Sequence, residues 1–430
     1  MAVKVGLVGM GTVGGGCVDI YMKHKEDFKR HLGVDLELAR VCARETDCAE
    51  KYGLQDIFTT DFNDIVNDPE IDIVIELIGG TGAARTLVCN ALRAGKHVVT
   101  ANKALMASAG EEVFSLADEA GVEIAFEASV GGGIPIIDPL KHSLISNEIS
   151  SVMGIVNGTT NYMLTRMDQD GLDYDAALKE AQDAGFAEAD PTADVDGLDA
   201  AAKIAILASI AFNSRVTLDD VYAEGIRRID PTDFEAARDM GYSIKLLALA
   251  HRTEEGIDVR VHPTMIPLTH QLSTVNGVNN AIYVTGDAVG ETMFFGEGAG
   301  SGPAASAVMG DVLEVARHIT LGVPPMVGCT CTDKLPIVPM EDVRTKYYIR
   351  FNVTDRTGVL AAMAQVFAEH QVSVRSVIQR GQKAGGTVSL VYVTHTAREA
   401  DVQAVLEDIK KLEDVLHDEP SVIRVEDDNR

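Results

Sequence analysis

The chain begins with the strand-like run Val3-Lys-Val-Gly-Leu-Val8, and Gly9-Met-Gly11-Thr-Val-Gly14 follows it directly. The glycines permit a tight turn, a close approach of pyrophosphate to the backbone and close packing of a helix on the strand. The start of that helix offers free N–H groups to phosphate. A bare Gly-x-Gly-x-x-Gly pattern is weak, and a purely structural turn is the alternative. The strand before it and the helix-length stretch after it favour a dinucleotide site made of Gly9, Gly11, Thr12, Val13 and Gly14.

The surrounding sequence alternates between short apolar runs and helix-length stretches. The runs lie at 36–42, 71–77 and 97–100. Such alternation predicts a Rossmann-type, doubly wound parallel sheet over residues 1–135. Residues 136–320 are expected to form a second, mixed α/β domain for substrate binding and dimerisation, with strands around 256–266 and 281–289. A helix over 303–320 is expected to return to the first domain or to the dimer region.

The carboxy-terminal part has a different pattern. Residues 321–342 are rich in proline and poor in charge, which is typical of a linker. Residues 343–430 then show the order strand, helix, strand, strand, helix, strand. This βαββαβ order predicts a ferredoxin-like sandwich, so the whole chain belongs to the α/β class.

Composition excludes several classes of protein. The 430 residues carry a net charge of −28, which argues against nucleic acid as a partner. We recognise neither a secretion signal nor a membrane span, and we therefore expect a cytoplasmic protein that does not bind membranes. Six cysteines are too few for a disulfide framework. Cys329-Thr-Cys331 lacks a second ligand pair at metal-binding spacing, which favours packed thiols over a metal site.

The end of the second predicted strand bears on the type of dinucleotide. An acidic residue there binds the ribose 2′-hydroxyl of NAD, whereas an arginine accommodates the 2′-phosphate of NADP. The chain has Arg44 followed by Glu45 at this place. Arg44 therefore favours NADP, and NAD is the alternative cofactor. Arg44 could also be a solvated surface arginine with no role in cofactor binding.

The densest set of reactive side chains lies in residues 181–203. Gly185 is placed to end one helix, and Glu188 follows in a loop before the next helix. Asp199 and Lys203 are four residues apart, so they share a helical face on which the carboxylate can orient the ammonium and keep it protonated. An ordinary surface salt bridge is the alternative. The apolar residues around Lys203 favour a packed stem and a partly desolvated charge instead.

This stretch resembles the signature of homoserine dehydrogenases, which it matches as A-x3-G-F-A-E-x-D-P-x2-D-x2-G-x-D-x3-K. Further motifs of that family occur in the expected order: Thr100-Ala-Asn-Lys103, Glu127-Ala-Ser-Val-Gly-Gly-Gly-Ile134-Pro135, Asn157-Gly-Thr-Thr-Asn-Tyr162 and Gly296-Glu-Gly-Ala-Gly300. The resemblance covers about residues 1–330.

The resemblance implies reversible, NAD(P)-dependent reduction of L-aspartate 4-semialdehyde to L-homoserine, on the route to threonine, methionine and isoleucine. Lys203 would give a proton to the aldehyde oxygen as hydride arrives. Asp199 would orient Lys203 and bond the substrate hydroxyl. Glu188 would hold the substrate α-ammonium, with Asp194 in the same substrate site.

The family also supplies expectations for the cofactor side of the site. Lys103 would lie near both the nicotinamide and the substrate, with a helix-capping surface lysine as the alternative. Thr100 and Gly300 would lie near the cofactor. His270 has two readings, a proton relay to solvent and a histidine with only a structural role.

The resemblance further points to a sodium ion and to an oligomer. In relatives, backbone carbonyls at the positions of Glu127, Val130, Gly132 and Ile134 hold the ion, although a glycine-rich structural turn is the alternative. The oligomer implied is a homodimer or a homotetramer.

The last module resembles an ACT domain, a fold that often binds amino acids. Gly358 frees the backbone between the first strand and the first helix, and helix N–H groups there can meet a ligand carboxylate. Asn352, Asp355 and Gly358 are the candidate regulatory residues. Threonine, the pathway end product, is the effector hypothesis, and a role in assembly alone is the alternative.

Two rival functions make different demands on the sequence. Aspartate-semialdehyde dehydrogenase needs a cysteine nucleophile, but no cysteine lies between Cys89 and Cys329, so the predicted substrate domain lacks one. A catalytically idle amino-acid sensor would be expected to lose the lysine and carboxylate set. Glu188, Asp199, Lys103 and Lys203 are all present, which favours the dehydrogenase.

Overall fold

The computed structural model describes residues 2–325, 328–380 and 386–427. The chain forms two compact units. One consists of Met1–Val156, Ala202–Val221 and Asn279–Leu335, and the other of Asn157–Ala201, Tyr222–Val278 and Pro336–Arg430. The four domain ranges inferred from the sequence stay a prediction beside this grouping. Among the described residues, no helix is long and apolar enough to cross a membrane.

The secondary-structure elements are as follows, in chain order. The first half contains β1 Val3–Val8, α1 Thr12–Leu32, β2 Leu36–Cys42, α2 Asp47–Tyr52, β3 Phe58–Thr59, α3 Asn63–Val66, β4 Ile73–Glu76, α4 Ala83–Arg93, β5 His97–Thr100, α5 Lys103–Ala120, β6 Ile124–Ala125, β7 Ile149–Ile155, α6 Gly158–Asp170, α7 Tyr174–Asp183, α8 Thr192–Val195 and α9 Leu198–Ala211. The second half contains β8 Tyr222–Ala223, α10 Pro231–Asp239, β9 Tyr242–Arg252, β10 Ile257–Pro267, β11 Asn279–Gly286, β12 Gly290–Glu297, α11 Ser301–Leu321, β13 Arg344–Thr354, α12 Val359–Glu369, β14 Val374–Arg380, β15 Thr387–Thr394, β16 Ala397–Arg398, α13 Glu399–Lys410 and β17 Ser421–Val425.

The first unit contains the predicted doubly wound sheet. Its six parallel strands have the order β3-β2-β1-β4-β5-β6. The central strands β1 and β4 are mostly apolar because helices cover both faces of such a sheet. The strands β3 and β6 were not predicted, since two residues leave no readable pattern. The same unit contains the antiparallel set β12-β11-β7.

The helix α11 belongs to the core of this first unit. Its buried residues Val308, Met309 and Val312 form one apolar cluster with Val5 of β1 and Val18 of α1. The chain thus returns to the six-stranded parallel sheet about 300 residues after leaving β1.

The second unit contains the ferredoxin-like module. Four of its strands have the antiparallel order β17-β13-β15-β14, and α12 and α13 contribute to its apolar core. The edge strand β17 also pairs in parallel with β10, where Thr264 faces Arg424. The module therefore continues a sheet that contains the β9–β10 hairpin.

The proline-rich segment before this module is irregular but held in place. The N–H of Asp333 donates to the Asn213 carbonyl at 2.8 Å in the first unit. In the second unit, the N–H of Val338 donates to the Ile257 carbonyl, also at 2.8 Å. Each part of the segment is therefore bonded within the unit to which it belongs.

Candidate active site

The glycine turn after β1 has the geometry of a phosphate-binding turn. Gly9 has φ of +105°, and a Cβ there would lie 2.6 Å from the Leu77 carbonyl. A Cβ on Gly14 would overlap the carbonyl oxygen of Gly9. Gly11, in contrast, is exposed and faces open space. It precedes α1 without any side-chain cap, so the first N–H groups of that helix, those of Thr12 and Val13 included, are available to an anion.

The carboxyl edge of the parallel sheet is ordered by a buried acid. Glu76, at the end of β4, is fully buried and accepts hydrogen bonds from the N–H groups of Ile78 and Gly79, each at 2.9 Å. The Thr100 hydroxyl, at the end of β5, donates to the same carboxylate at 2.6 Å. Ligands of doubly wound sheets bind at this edge. Sequence reasoning missed Glu76, although an acid ending a wholly apolar strand is a readable signal.

Three further predicted cofactor residues lie in the first unit. Arg44 is exposed two residues beyond β2. Lys103 is half-buried and is the first residue of α5, which Asn102 caps by accepting from the Leu105 N–H at 3.1 Å. Gly300 precedes α11 with φ of +124°, a conformation that favours glycine.

Lys203 is held inside the first unit. Only 8% of the residue is exposed, and its Nζ donates to the Val156 carbonyl at 2.6 Å. An ammonium has three N–H donors, and this bond uses one of them to direct the group. The prediction of a packed stem is thus confirmed. The helix α9 begins at Leu198, two residues after the expected place, because Gly197 precedes it with φ of +81°.

Asn157 organises the acids of the second unit. Its Nδ2 donates to Asp194 at 2.7 Å and to Asp199 at 2.9 Å. Its Oδ1 accepts from the Thr160 N–H at 2.9 Å, which caps α6. Asn157 belongs to the family motif at 157–162, but the motif does not indicate its role in the site. An Asn before a helix indicates a cap, but the two acids are 37 and 42 residues away in sequence.

Glu188 lies in the exposed loop between α7 and α8. The loop begins at Gly185, whose φ of +77° ends α7 as predicted. The Glu188 carbonyl accepts from the Gln182 side chain at 3.0 Å, which fixes the backbone and leaves the carboxylate at the surface.

The glycine-rich turn at 127–134 is tightly built. The Glu127 carboxylate accepts from the N–H groups of Ile136, Ile137 and Asp138 at 2.6, 2.9 and 2.7 Å. Burial nevertheless raises its pKa. Val130, Gly132 and Ile134 are buried, and Gly132 has φ of +57°. Their backbone is therefore closely confined in the interior.

His270 caps a short 3-10 helix in the second unit. Its Nδ1 accepts from the Leu272 N–H at 3.1 Å, and the residue is 8% exposed. This bond gives the histidine a structural role, the second of the two readings proposed for it.

The predicted regulatory residues surround the loop from β13 to α12. Asn352 donates to Asp418 at 2.7 Å, and the Asp355 N–H donates to the Gly386 carbonyl at 2.9 Å. Gly358 has φ of +96° and precedes α12 without a side-chain cap. The start of α12 can therefore receive a carboxylate.

Comparison with known proteins extends these observations. Residues 9–127 match the model for the NAD-binding domain of homoserine dehydrogenase, residues 135–313 the model for homoserine dehydrogenase, and residues 347–414 the ACT domain. The chain is 46% identical to a homoserine dehydrogenase of Synechocystis over 99% of this chain and 100% of the relative. A Bacillus subtilis homoserine dehydrogenase is 42% identical, with 99% and 98% covered.

Solved structures are similar as well. A homoserine dehydrogenase from Thiobacillus denitrificans superposes with a TM-score of 0.94, 43% identity and 99% of both chains covered. A hyperthermophilic archaeal homoserine dehydrogenase in complex with NADPH has a TM-score of 0.64 and 26% identity, with 76% of this chain and all of that chain covered.

The glycine turn, the buried lysine and the doubly wound sheet define a nicotinamide-dependent oxidoreductase with an appended ACT domain. Within that class, the chain belongs to the homoserine dehydrogenase family. Its reaction is the reversible NAD(P)H-dependent reduction of L-aspartate 4-semialdehyde to L-homoserine.

Proposed function

We propose that Lys203 is the proton donor of this reduction. The observation that carries the proposal is its buried ammonium, held by the Val156 carbonyl at 2.6 Å. When bound, the nicotinamide supplies the hydride to the aldehyde carbon. The aldehyde oxygen then gains negative charge, and a positioned ammonium that stabilises and protonates it lowers the barrier.

The carboxylates of the second unit are proposed for the substrate's polar groups. Asp199, one helical turn before Lys203 in α9, would orient the ammonium and bond the substrate hydroxyl. Asp194 accepts a hydrogen bond from the same Asn157 carboxamide as Asp199. We assign it to substrate binding as well. Glu188, whose carboxylate is at the surface of its loop, would hold the substrate α-ammonium.

The test of the Lys203 role is the substitution Lys203→Met, which keeps an unbranched stem. We expect kcat for aspartate semialdehyde reduction to fall about 10²-fold or more, as for removal of a general acid. Lys179→Met is the matched control, because Lys179 is exposed and pairs with Asp183 one turn away on α7. Equal loss in both variants, or an active Lys203→Met enzyme, would contradict the proposal.

For the cofactor, we propose NADP over NAD. Arg44 is exposed just beyond β2, at the place where this fold binds the 2′-phosphate of NADP. The structure of an archaeal relative was solved in complex with NADPH. Arg44→Ala should lower kcat/KM for NADPH about tenfold or more and leave that for NADH nearly unchanged, since a charged hydrogen bond contributes about 1.5–3 kcal/mol. Equal effects on both cofactors would rule out this assignment. Thr100, Lys103 and Gly300 are proposed to line the nicotinamide side.

A sodium ion is proposed at the carbonyls of Glu127, Val130, Gly132 and Ile134. The fit rests on a buried turn whose backbone is fixed by the Glu127 carboxylate. A bound ion would hold this turn rigid. Replacing choline by sodium at constant ionic strength should raise the melting temperature of the apoprotein and the activity together, with a smaller effect for potassium. Identical melting curves in all three salts would contradict a specific site.

We further propose that the ACT domain binds an amino-acid effector, threonine, at Asn352, Asp355 and Gly358. The open start of α12 supports a carboxylate site there. Threonine should inhibit the full-length enzyme and raise its melting temperature. Asn352→Ala should weaken both responses, while Gln365→Ala, whose exposed side chain donates to Glu369 within α12, should keep them. No response to threonine in the parent protein would refute this effector.

The assembly and location inferred from the sequence remain proposals. A homodimer or homotetramer is tested by light scattering of the full chain, and a monomer at micromolar concentration would contradict it. Cell fractionation tests the cytoplasmic location.

A further inference from the structure

The pair Cys329 and Cys331 is set in a cationic and partly open environment in the first unit. The Arg215 guanidinium donates to the Cys329 sulfur, with 3.1 Å between Nη2 and Sγ. Cys331 lies two residues further along the chain and lines the same cleft as Cys329 and Arg215. A charged hydrogen bond from an arginine stabilises a thiolate over a thiol.

We propose that Cys329 is a nucleophilic thiolate that hydroperoxides oxidise, and that Cys331 is its resolving partner. This site is separate from the groups assigned to aldehyde reduction. The sequence interpretation of the pair as packed thiols missed it, because Arg215 is 114 residues away in the chain.

A second cation contributes to the environment. The Lys141 ammonium lies over the rings of Phe114 and Phe126, 5.5 and 5.4 Å from their centroids, and its charge also favours the Cys329 thiolate. The neighbouring Cys331 lowers the pKa of Cys329 most, and with the charges of Arg215 and Lys141 brings it to about 6 despite burial. The pKa of Cys331 is raised, chiefly by its neighbour Cys329. One sulfur is thus the nucleophile and the other the proton-bearing partner.

The other cysteines provide a contrast within the same chain. Cys17 and Cys42 are buried, and burial raises their pKa to about 12 and about 11. Burial also raises the pKa of Cys89. Cys48 is half-buried, as Cys329 is, and its thiol donates to the Glu45 carbonyl. Because Cys48 and Cys329 are similarly exposed, Cys48 is the control against which the reactivity of Cys329 is compared.

The pair is accessible through a cleft of about 530 Å³. Cys329, Cys331 and Arg215 line it, and the volume far exceeds what a hydroperoxide needs. Its charged rim is formed by Glu111, Asp118, Asp333 and Lys334. Behind the pair lies the last part of α9, where the Cys331 sulfur is 3.7 Å from the Ser209 carbonyl. This contact holds Cys331 beside Cys329.

The chemistry balances in two steps. The Cys329 thiolate attacks one peroxide oxygen, so that an S–O bond forms, the O–O bond breaks and hydroxide leaves; the sulfur loses two electrons and the peroxide gains them. The Cys331 sulfur then attacks the resulting sulfenic acid. An S–S bond forms, the S–O bond breaks, and the thiol proton leaves with the hydroxyl as water.

The first experiment compares alkylation rates in the full chain by iodoacetamide labelling and peptide mass spectrometry. At about pH 6.5, Cys329 should react about tenfold faster than Cys48, because its larger thiolate fraction outweighs the lower intrinsic nucleophilicity of a low-pKa thiol. Arg215→Gln should remove most of this advantage, while Arg215→Lys should keep part of it. Labelling of Cys48 at an equal or higher rate would overturn the proposal.

The second experiment treats the protein with hydrogen peroxide. The parent chain should form a disulfide between Cys329 and Cys331, seen as the loss of two hydrogens from their shared peptide. Cys331→Ser should instead leave a sulfenic acid on Cys329 that dimedone traps. Peroxide modification of Cys48 before Cys329, or no dimedone adduct in Cys331→Ser, would refute the pair. Melting curves of each variant confirm that it is folded.

Discussion

At the scale of single residues, Asn157 shows how one carboxamide can organise two acids. Asp194 and Asp199 would repel each other as free carboxylates, but both accept a hydrogen bond from the same Nδ2. Asp199 is 8% exposed, so its charge depends on such partners. Asn157 also caps α6 through the opposite end of its side chain. We therefore regard it as a positioning residue.

The substitution Asn157→Asp separates these two roles. Aspartate caps a helix as well as asparagine does, so the melting temperature should change little through the cap. The donor to both carboxylates is lost, and kcat/KM should fall about 10- to 100-fold, the equivalent of a charged hydrogen bond of about 1.5–3 kcal/mol. Activity should recover partly at lower pH, where the added carboxyl is protonated. An unchanged kcat/KM would show that the carboxamide is not needed.

At the scale of elements, two glycines in the turn from β1 to α1, Gly11 and Gly14, have different structural roles. Gly14 is needed for packing, because a Cβ there would overlap the Gly9 carbonyl. Gly11 has φ of −74°, which any residue adopts, and an added Cβ would meet no atom within 4 Å. The space beside Gly11 therefore suits the proposed pyrophosphate, whereas the space beside Gly14 is occupied by the protein.

This difference predicts that an alanine at position 14 affects stability, whereas an alanine at position 11 affects cofactor binding. Gly14→Ala should lower the melting temperature of the apoprotein, because the turn must open to admit the methyl group. Gly11→Ala should leave that temperature unchanged and raise KM for the nicotinamide dinucleotide about tenfold or more, by blocking close approach of the phosphates. Thermal unfolding without cofactor and steady-state kinetics measure the two effects. A destabilised Gly11→Ala protein would contradict the assignment.

At the scale of the whole molecule, the ACT domain shares the second unit with part of the substrate domain. Asp233 of α10 is fully buried and accepts from the Arg350 guanidinium at 2.7 Å, from the Tyr348 hydroxyl at 3.0 Å and from Ser421 at 3.0 Å. The pKa of Arg350 is raised by its bond to Asp233, which outweighs the opposing effect of burial. The ACT strands are thus tied to α10 by a buried charged network.

Removing the centre of this network should destabilise the protein. Asp233→Ala leaves the Arg350 charge buried without its partner, and we expect a loss of about 3–5 kcal/mol in the free energy of unfolding. Asp401→Ala should cost less than about 1 kcal/mol, because the Asp401–Arg398 pair is exposed on both sides. Urea denaturation of both variants measures the difference. Equal midpoints would show that the network contributes no net stability.

Local patterns were enough to predict several elements. The bounds of β1, β2 and β5 agree with the predicted strands, and the βαββαβ order of the last module is confirmed. The family motifs led to the homoserine dehydrogenase family, which the comparisons confirm. Regular alternation, glycine spacing and helix caps are properties of neighbouring residues, so a sequence displays them directly.

The pairing of distant residues could not be predicted from local patterns. Those patterns were sufficient for the α/β class, the glycine turn and the reactive groups of Lys203 and Asp199. Only the folded chain brought Asn157 to the acids, Arg215 to Cys329 and Asp233 to the ACT strands, across separations of 37 to 188 residues. Hydrogen bonds and charge interactions act over a few ångströms of space, whatever the separation along the chain. A local sequence pattern therefore does not predict which distant residue will make the contact.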